Sequence, residues 1–164
     1  SINASNIDPA DKDVLRRLGL SFRQSIPLII VRDVLQTFSR KFFIEVKQVS
    51  IQGNHIHLHI KAKHRSHYQA FFRVLAGQIA QRILIHKKVP LPHVTDTPSG
   101  GRGITKKQGF WAGQVFTRVV RGLRALQILR DYIQLNEKER TGEIKYQEKR
   151  LRGLSMRDWE VLWS

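Results

Sequence analysis

Apolar residues along this chain recur at two different periods, and the switches between periods outline its elements. Residues 26–42, "IPLIIVRDVLQTFSRKF", place Leu28, Val31, Leu35 and Phe38 three or four apart. That spacing predicts a helix, with Pro27 in the first turn, where a missing N–H costs no hydrogen bond. Residues 66–88 repeat the pattern on Phe71, Leu75, Ile79 and Ile83, with Ala76, Gly77 and Ala80 small enough for close approach to a sheet. A third helical stretch, 121–140, rests on Leu123, Leu126, Leu129 and Ile133. Between the first two helices the period falls to two. Residues 42–53 alternate on Ile44 and Val46, then on Val49 and Ile51 after a slip in phase, and Gly53-Asn54 predicts a hairpin turn into a second strand. Shorter alternation at 16–24 (Leu18, Leu20, Phe22) and at 110–120 predicts two further strands.

The resulting order, β-α-β-β-α-β, predicts an α+β protein with a ferredoxin-like (RRM-like) antiparallel sheet and two helices on one face. The additional helix at 121–140 is then expected on the open face of that sheet. Residues 1–15 are polar, with an Asp8-Pro9 turn signal, and predict a loose N-terminal arm. The single domain is expected over 16–140, with a basic tail over 141–164. Inside the domain, the Pro- and Gly-rich basic stretch 89–109 is longer than most compact connections.

Charge changes the picture next. The 164 residues hold 29 Lys and Arg against 13 Asp and Glu, a formal net charge of +16. A field of that sign attracts polyanions and releases their counterions on contact, which makes nucleic acid the leading partner class. The longest purely apolar run, 26–31, is far too short to span a bilayer, and no charged-then-apolar leader is expected at the start. The absence of cysteine excludes disulfides and thiolate metal sites, and suits a reducing cytoplasm.

Candidate chemistry is concentrated in residues 53–63, "GNHIHLHIKAK". In a strand, His55, His57 and His59 share one face while Ile56, Leu58 and Ile60 share the other. The apolar face suits packing on helices, which leaves the imidazoles on the open face. Three surface histidines on a half-solvated sheet satisfy this pattern. So does a metal site, because two same-face imidazoles can hold one divalent ion while a further ligand completes it. Of the three tyrosines, Tyr132 stands in "DYIQLNEKE" four residues before Asn136, so both project from one side of a helix. Tyr132 is either a packing residue or a nucleophile aimed at an activated phosphorus, and the Asn136 amide oxygen could then complete the metal site. Basic residues Lys63, Arg65, Arg102, Lys106, Lys107, Arg118, Arg121 and Arg124 could track phosphates, and Trp111 could stack on a base. Each basic run serves equally as a solvated surface.

Taken together, "GNHIHLHI" resembles the His-hydrophobe-His signature of HUH single-strand DNA endonucleases. "DYIQLNEKERTG" resembles the helix that carries their nucleophilic tyrosine. "GFWAGQVFTRVVRG" resembles the Trp-containing strand leading into that helix in REP-associated tyrosine transposases and related insertion-sequence transposases. The resemblance runs from about Ser21 to Gly142. It implies metal ligation by His55, His57 and Asn136, with Mg²⁺ or Mn²⁺ as cofactor and Tyr132 as nucleophile. It also implies a 5′-phosphotyrosine intermediate in DNA transposition or recombination, and single-stranded or hairpin DNA as substrate. A homodimer is compatible with it, as is a bacterial cytoplasmic, nucleoid-associated location. His59 stands where the family usually has an aliphatic residue, so a His57/His59 pair remains an alternative frame. Two other classes compete. A sheet that binds single-stranded nucleic acid without cutting it accounts for the charge. A small metal-dependent hydrolase would need carboxylates beside the histidines, and neither Glu45 nor Asp131 shows such a pattern.

Overall fold

A computed structural model describes residues 2–4, 12–88, 110–112 and 117–164. In chain order the elements are β1 (Ile2–Ala4), α1 (Lys12–Leu18), α2 (Ser25–Lys41), β2 (Glu45–Ile51), β3 (Ile56–Ala62), α3 (Arg65–His86), α4 (Leu123–Thr141), a 3-10 turn (Arg150–Gly153) and α5 (Met156–Leu162). The fold is α+β. Its antiparallel sheet has the order β1-β3-β2, with β3 central.

The phase slip in the 42–53 pattern has a physical counterpart. The β2–β3 register shifts between Val46 and Gln48, so Lys47 is an extra residue in the ladder. Beyond it, Gln48 lies opposite His59 and Ser50 opposite His57. One face of the hairpin is therefore a polar row. The other carries Ile56, Leu58 and Ile60, all fully buried in one core with Val31, Val34, Phe71, Leu75 and Ile79 of α2 and α3. Each such side chain contributes about 1.5–3 kcal/mol by leaving water. α4 packs on β2 and β3 over the polar row: Gln48 Nε2 donates to the Arg130 carbonyl at 3.2 Å, and Gln52 Nε2 to the Asn136 carbonyl at 3.1 Å.

Two expectations fail at the N-terminal end. Residues 16–24 are not a strand: α1 runs to Leu18, Gly19 takes a left-handed φ of 58°, and the chain turns. Leu18 and Leu20 are partly buried and Phe22 fully buried from a helix end and a turn, which mimics alternation. Phe22 is anchored by its N–H to the Gly53 carbonyl at 2.8 Å. The edge strand comes instead from the supposed loose arm, where Ile2, Asn3 and Ala4 pair with Ala62, Lys61 and Ile60. Three residues are too few to show a period.

The strand expected at 110–120 falls partly outside the described residues. Within them, Trp111 makes an isolated bridge and 117–120 are irregular. Phe110 and Trp111 pack on Phe22, with the Trp111 indole N–H donating to the Ala76 carbonyl at 3.0 Å. Gly77 makes no close approach, since a side chain there would meet open space.

The 141–164 segment is folded onto the domain. Gly142, in the left-handed conformation (φ 80°), reverses the chain at the end of α4, and Glu143 N–H closes on the Lys138 carbonyl. Ile144 and Leu162 then bury Leu135 in a second, smaller core. Ser155 and Asp158 form a reciprocal cap that starts α5. Among the described residues no helix is long and apolar enough to cross a membrane.

Candidate active site

Alternation in β3 and the helical turn of α4 bring the sequence-selected residues to one place. His55 Nδ1–H donates to Asn54 Oδ1 at 2.8 Å, which leaves the His55 Nε2 lone pair pointing away from that bond. His57 Nε2 lies 3.0 Å from it, with the rings nearly perpendicular. The Tyr132 ring stands edge-on to His57, centroids 5.7 Å apart. Asn136, one turn along α4, is buried beside them. These groups line a cavity of about 430 Å³ that also includes Arg23, Gln52, Glu139, Tyr146 and Arg150.

The third histidine is elsewhere. His59 lines a different cavity with Lys47, Lys61 and Arg130. On α4, Arg130 and Gln134 face that second cavity, whereas Tyr132 and Asn136 face the first. The helix thus crosses the polar row and separates His59 from the His55/His57 pair.

Electrostatics keep the imidazoles neutral. Burial, then the neighbouring His55 and the Arg150 guanidinium, lower the His57 pKa from 6.5 to about 4. Burial and Arg23 lower that of His55, and burial, Arg130 and Lys47 lower that of His59. Near neutral pH both members of the close pair are therefore neutral, the form in which imidazole ligates metal, and the 3.0 Å contact is a hydrogen bond from His57 Nε2–H to the His55 Nε2 lone pair.

How well the donors suit a divalent ion can be judged from their spacing. Two cis ligands at about 2.1 Å in an octahedral shell stand about 3.0 Å apart, and the His55–His57 Nε2 separation is 3.0 Å. The two imidazoles fit once the proton shared between their Nε2 atoms is displaced. The third donor is engaged: Asn136 Oδ1 accepts from Arg150 Nη2 at 2.5 Å, while Asn136 Nδ2 is buried without a hydrogen-bond partner. Among the described residues no group of three His, Cys, Asp or Glu side chains converges as a metal site.

Arg150 is the residue that sequence reasoning missed. It lies in the tail, inside a charged run that looks like solvated surface. Its Nη1 bonds both Glu139 carboxylate oxygens, at 2.7 and 2.8 Å. Its guanidinium carbon sits 5.2 Å from the Tyr132 ring centroid and 5.1 Å from that of Tyr146. A positive φ of 53° accompanies this placement, a costly backbone conformation for arginine that the surrounding contacts must hold. Only the tertiary fold reveals the role.

The expected phosphate-tracking residues are scattered. Lys63, Arg65, Arg118, Arg121 and Arg124 are exposed and none lines the Tyr132 cavity, whose cations are Arg23 and Arg150. Arg102, Lys106 and Lys107 lie outside the described residues. Trp111 is committed to the core through Phe22 and its indole hydrogen bond. In comparisons with protein-family models and with curated proteins, the chain matches none.

Proposed function

We propose that the protein is a metal-dependent single-strand DNA endonuclease and strand transferase of the HUH, single-tyrosine transposase type. The observation that carries this reading is the placement of Tyr132 against His57, itself 3.0 Å from His55, in one cavity of a strongly basic chain. The strand order β1-β3-β2, with β3 antiparallel to both neighbours, is the order that three strands of a ferredoxin-like sheet would have.

In this mechanism His55 and His57, joined by Asn136, would hold Mg²⁺ or Mn²⁺, and such an ion would supply Lewis-acid polarisation of the scissile phosphate. Tyr132 Oη attacks the phosphorus in line. The Oη–P bond forms as the bond to the 3′ oxygen breaks, leaving a 5′-phosphotyrosine and a free 3′-OH. The proton lost by Oη balances the one gained by the 3′ oxygen. Because the new ester keeps the energy of the old one, a second 3′-OH can reverse the step and join strands. Arg23 and Arg150 add positive charge to the cavity where the phosphate would sit. Arg150 must release the Asn136 oxygen before that oxygen can serve as a ligand.

One observation favours a second reading. The Arg150 bond already satisfies Asn136 Oδ1, as suits a module that binds single-stranded nucleic acid without cleaving it. Incubation with a labelled single-stranded hairpin DNA and Mn²⁺ separates the two. The cleavage reading expects an SDS-resistant adduct from the wild type and none from Tyr132→Phe. A wild type that binds the DNA but forms no adduct supports the binding module instead.

A further inference from the structure

β3 and the residue before it present three histidines, yet α4 leaves His59 on its own flank. There Lys47, Gln48 and Lys61 of the sheet, Arg130 of α4 and Trp163 after α5 surround a cavity of about 630 Å³ with His59 at its wall. It is larger than the Tyr132 cavity, and no carboxylate lines it. Glu45, outside the lining, pairs with Lys47 and stands opposite Lys61 in the sheet, where both lysines hold its carboxyl below the usual range, while Arg130 has no ion pair among the described residues. Three cations against this one carboxylate leave the cavity net positive, which favours an anion there.

One further feature narrows the ligand. Trp163 is held in place by its indole N–H, which donates to Asp131 Oδ1 at 2.9 Å, and by the Arg130 guanidinium 5.4 Å from its ring. Half of the residue remains exposed. Cations beside a fixed, partly exposed indole are the means by which proteins grip a phosphate and stack an unpaired base. A base inside a duplex is already stacked and cannot reach a ring at the wall of a concavity.

We infer that this cavity is a second nucleic-acid subsite, holding a phosphodiester of single-stranded DNA among Lys47, Lys61 and Arg130 with a base against Trp163. This rests on the nucleic-acid reading above but not on cleavage by Tyr132. The subsite lies across α4 from the tyrosine, so a strand bound there would be gripped away from the scissile bond.

The test uses the full chain and a dye-labelled single-stranded oligonucleotide of mixed sequence, followed by fluorescence anisotropy over a range of salt. Lys61→Gln/Arg130→Gln should bind about tenfold more weakly, with a log–log salt slope shallower by about 1.4 for two lost phosphate contacts. In parallel, photo-cross-linking of wild-type protein to the same strand carrying 5-iodouracil should label the peptide containing Trp163. Unchanged affinity and slope in the double variant, or cross-links confined to other peptides, would overturn the subsite while leaving the nucleic-acid reading intact. Absence of wild-type binding to the strand sinks both. Competition by inorganic phosphate or a deoxynucleoside monophosphate at concentrations equal to the strand assigns the pocket to a free anion and overturns the strand assignment. If the double variant does not fold, the cross-link map decides.

Discussion

Arg150 Nη2 donates to Asn136 Oδ1 at 2.5 Å, so an amide oxygen of the cavity that holds His55 and His57 is itself held by a residue of the C-terminal segment. The same guanidinium bonds Glu139 and stacks between Tyr132 and Tyr146. One side chain thus ties the segment after Gly142 to every α4 residue that faces the cavity.

If Asn136 ligates the ion as proposed, metal binding would compete with this contact for one oxygen. Arg150→Gln should bind Mn²⁺ several-fold more tightly than the wild type, measured by titration calorimetry. It should also lower stability by about 1–3 kcal/mol, because Glu139 and Asn136 lose a charged donor in a largely buried setting. Equal or weaker Mn²⁺ binding would show that the Arg150 bond does not limit the site.

The two histidine frames predict different losses. His55→Ala should abolish both Mn²⁺ binding and the covalent adduct, whereas His59→Ala should leave both within about twofold of wild type, since His59 lines the other cavity. A reversed result would transfer the ligand role to the His57/His59 pair.

Acid should destabilise the fold through His57. Its pKa is about 4 in the folded protein against 6.5 for the free group, so the unfolded chain binds the proton more readily. Stability is therefore complete above about pH 6.5 and falls as pH drops toward 4, by roughly 3 kcal/mol for this one group at the lower limit. Urea unfolding at a series of pH values measures the slope, and His57→Gln should flatten it. An unchanged slope in the variant would show that other groups carry the acid sensitivity.

The C-terminal segment should behave as part of the domain. Leu162 is fully buried against Leu135 and Ile144, so Leu162→Ala should cost about 2–5 kcal/mol. Loss of the hydrogen bond in Trp163→Phe strands the buried Asp131 carboxylate and should cost about 1–3 kcal/mol. Thermal unfolding checks both, and a melting temperature equal to wild type in either variant would mean that this contact does not hold the segment to α4.

Much of this arrangement was legible in the linear pattern. Period-3.6 spacing marked α2, α3 and α4 to within two residues at each end, because each buries a continuous apolar stripe. Alternation marked β2 and β3, and the phase slip between Val46 and Val49 marked the bulge at Lys47. Alternation also set His55, His57 and His59 on one face of β3. The first strand was misplaced, because Leu18, Leu20 and Phe22 alternate along a helix end and a turn, while Ile2–Ala4 is too short to show a period.

What the chain determines locally, then, is which face each residue occupies, since backbone periodicity is a property of neighbouring residues. Which faces meet depends on contacts between segments far apart in sequence. Only the tertiary structure decided that α4 crosses the polar row, that His55 and His57 share a cavity with Tyr132 while His59 does not, and that Arg150 returns from the tail to hold Asn136. The left-handed turn at Gly142 redirects the chain, and the small core of Leu135, Ile144 and Leu162 fixes where it lands. Neither effect leaves a periodic trace in the sequence.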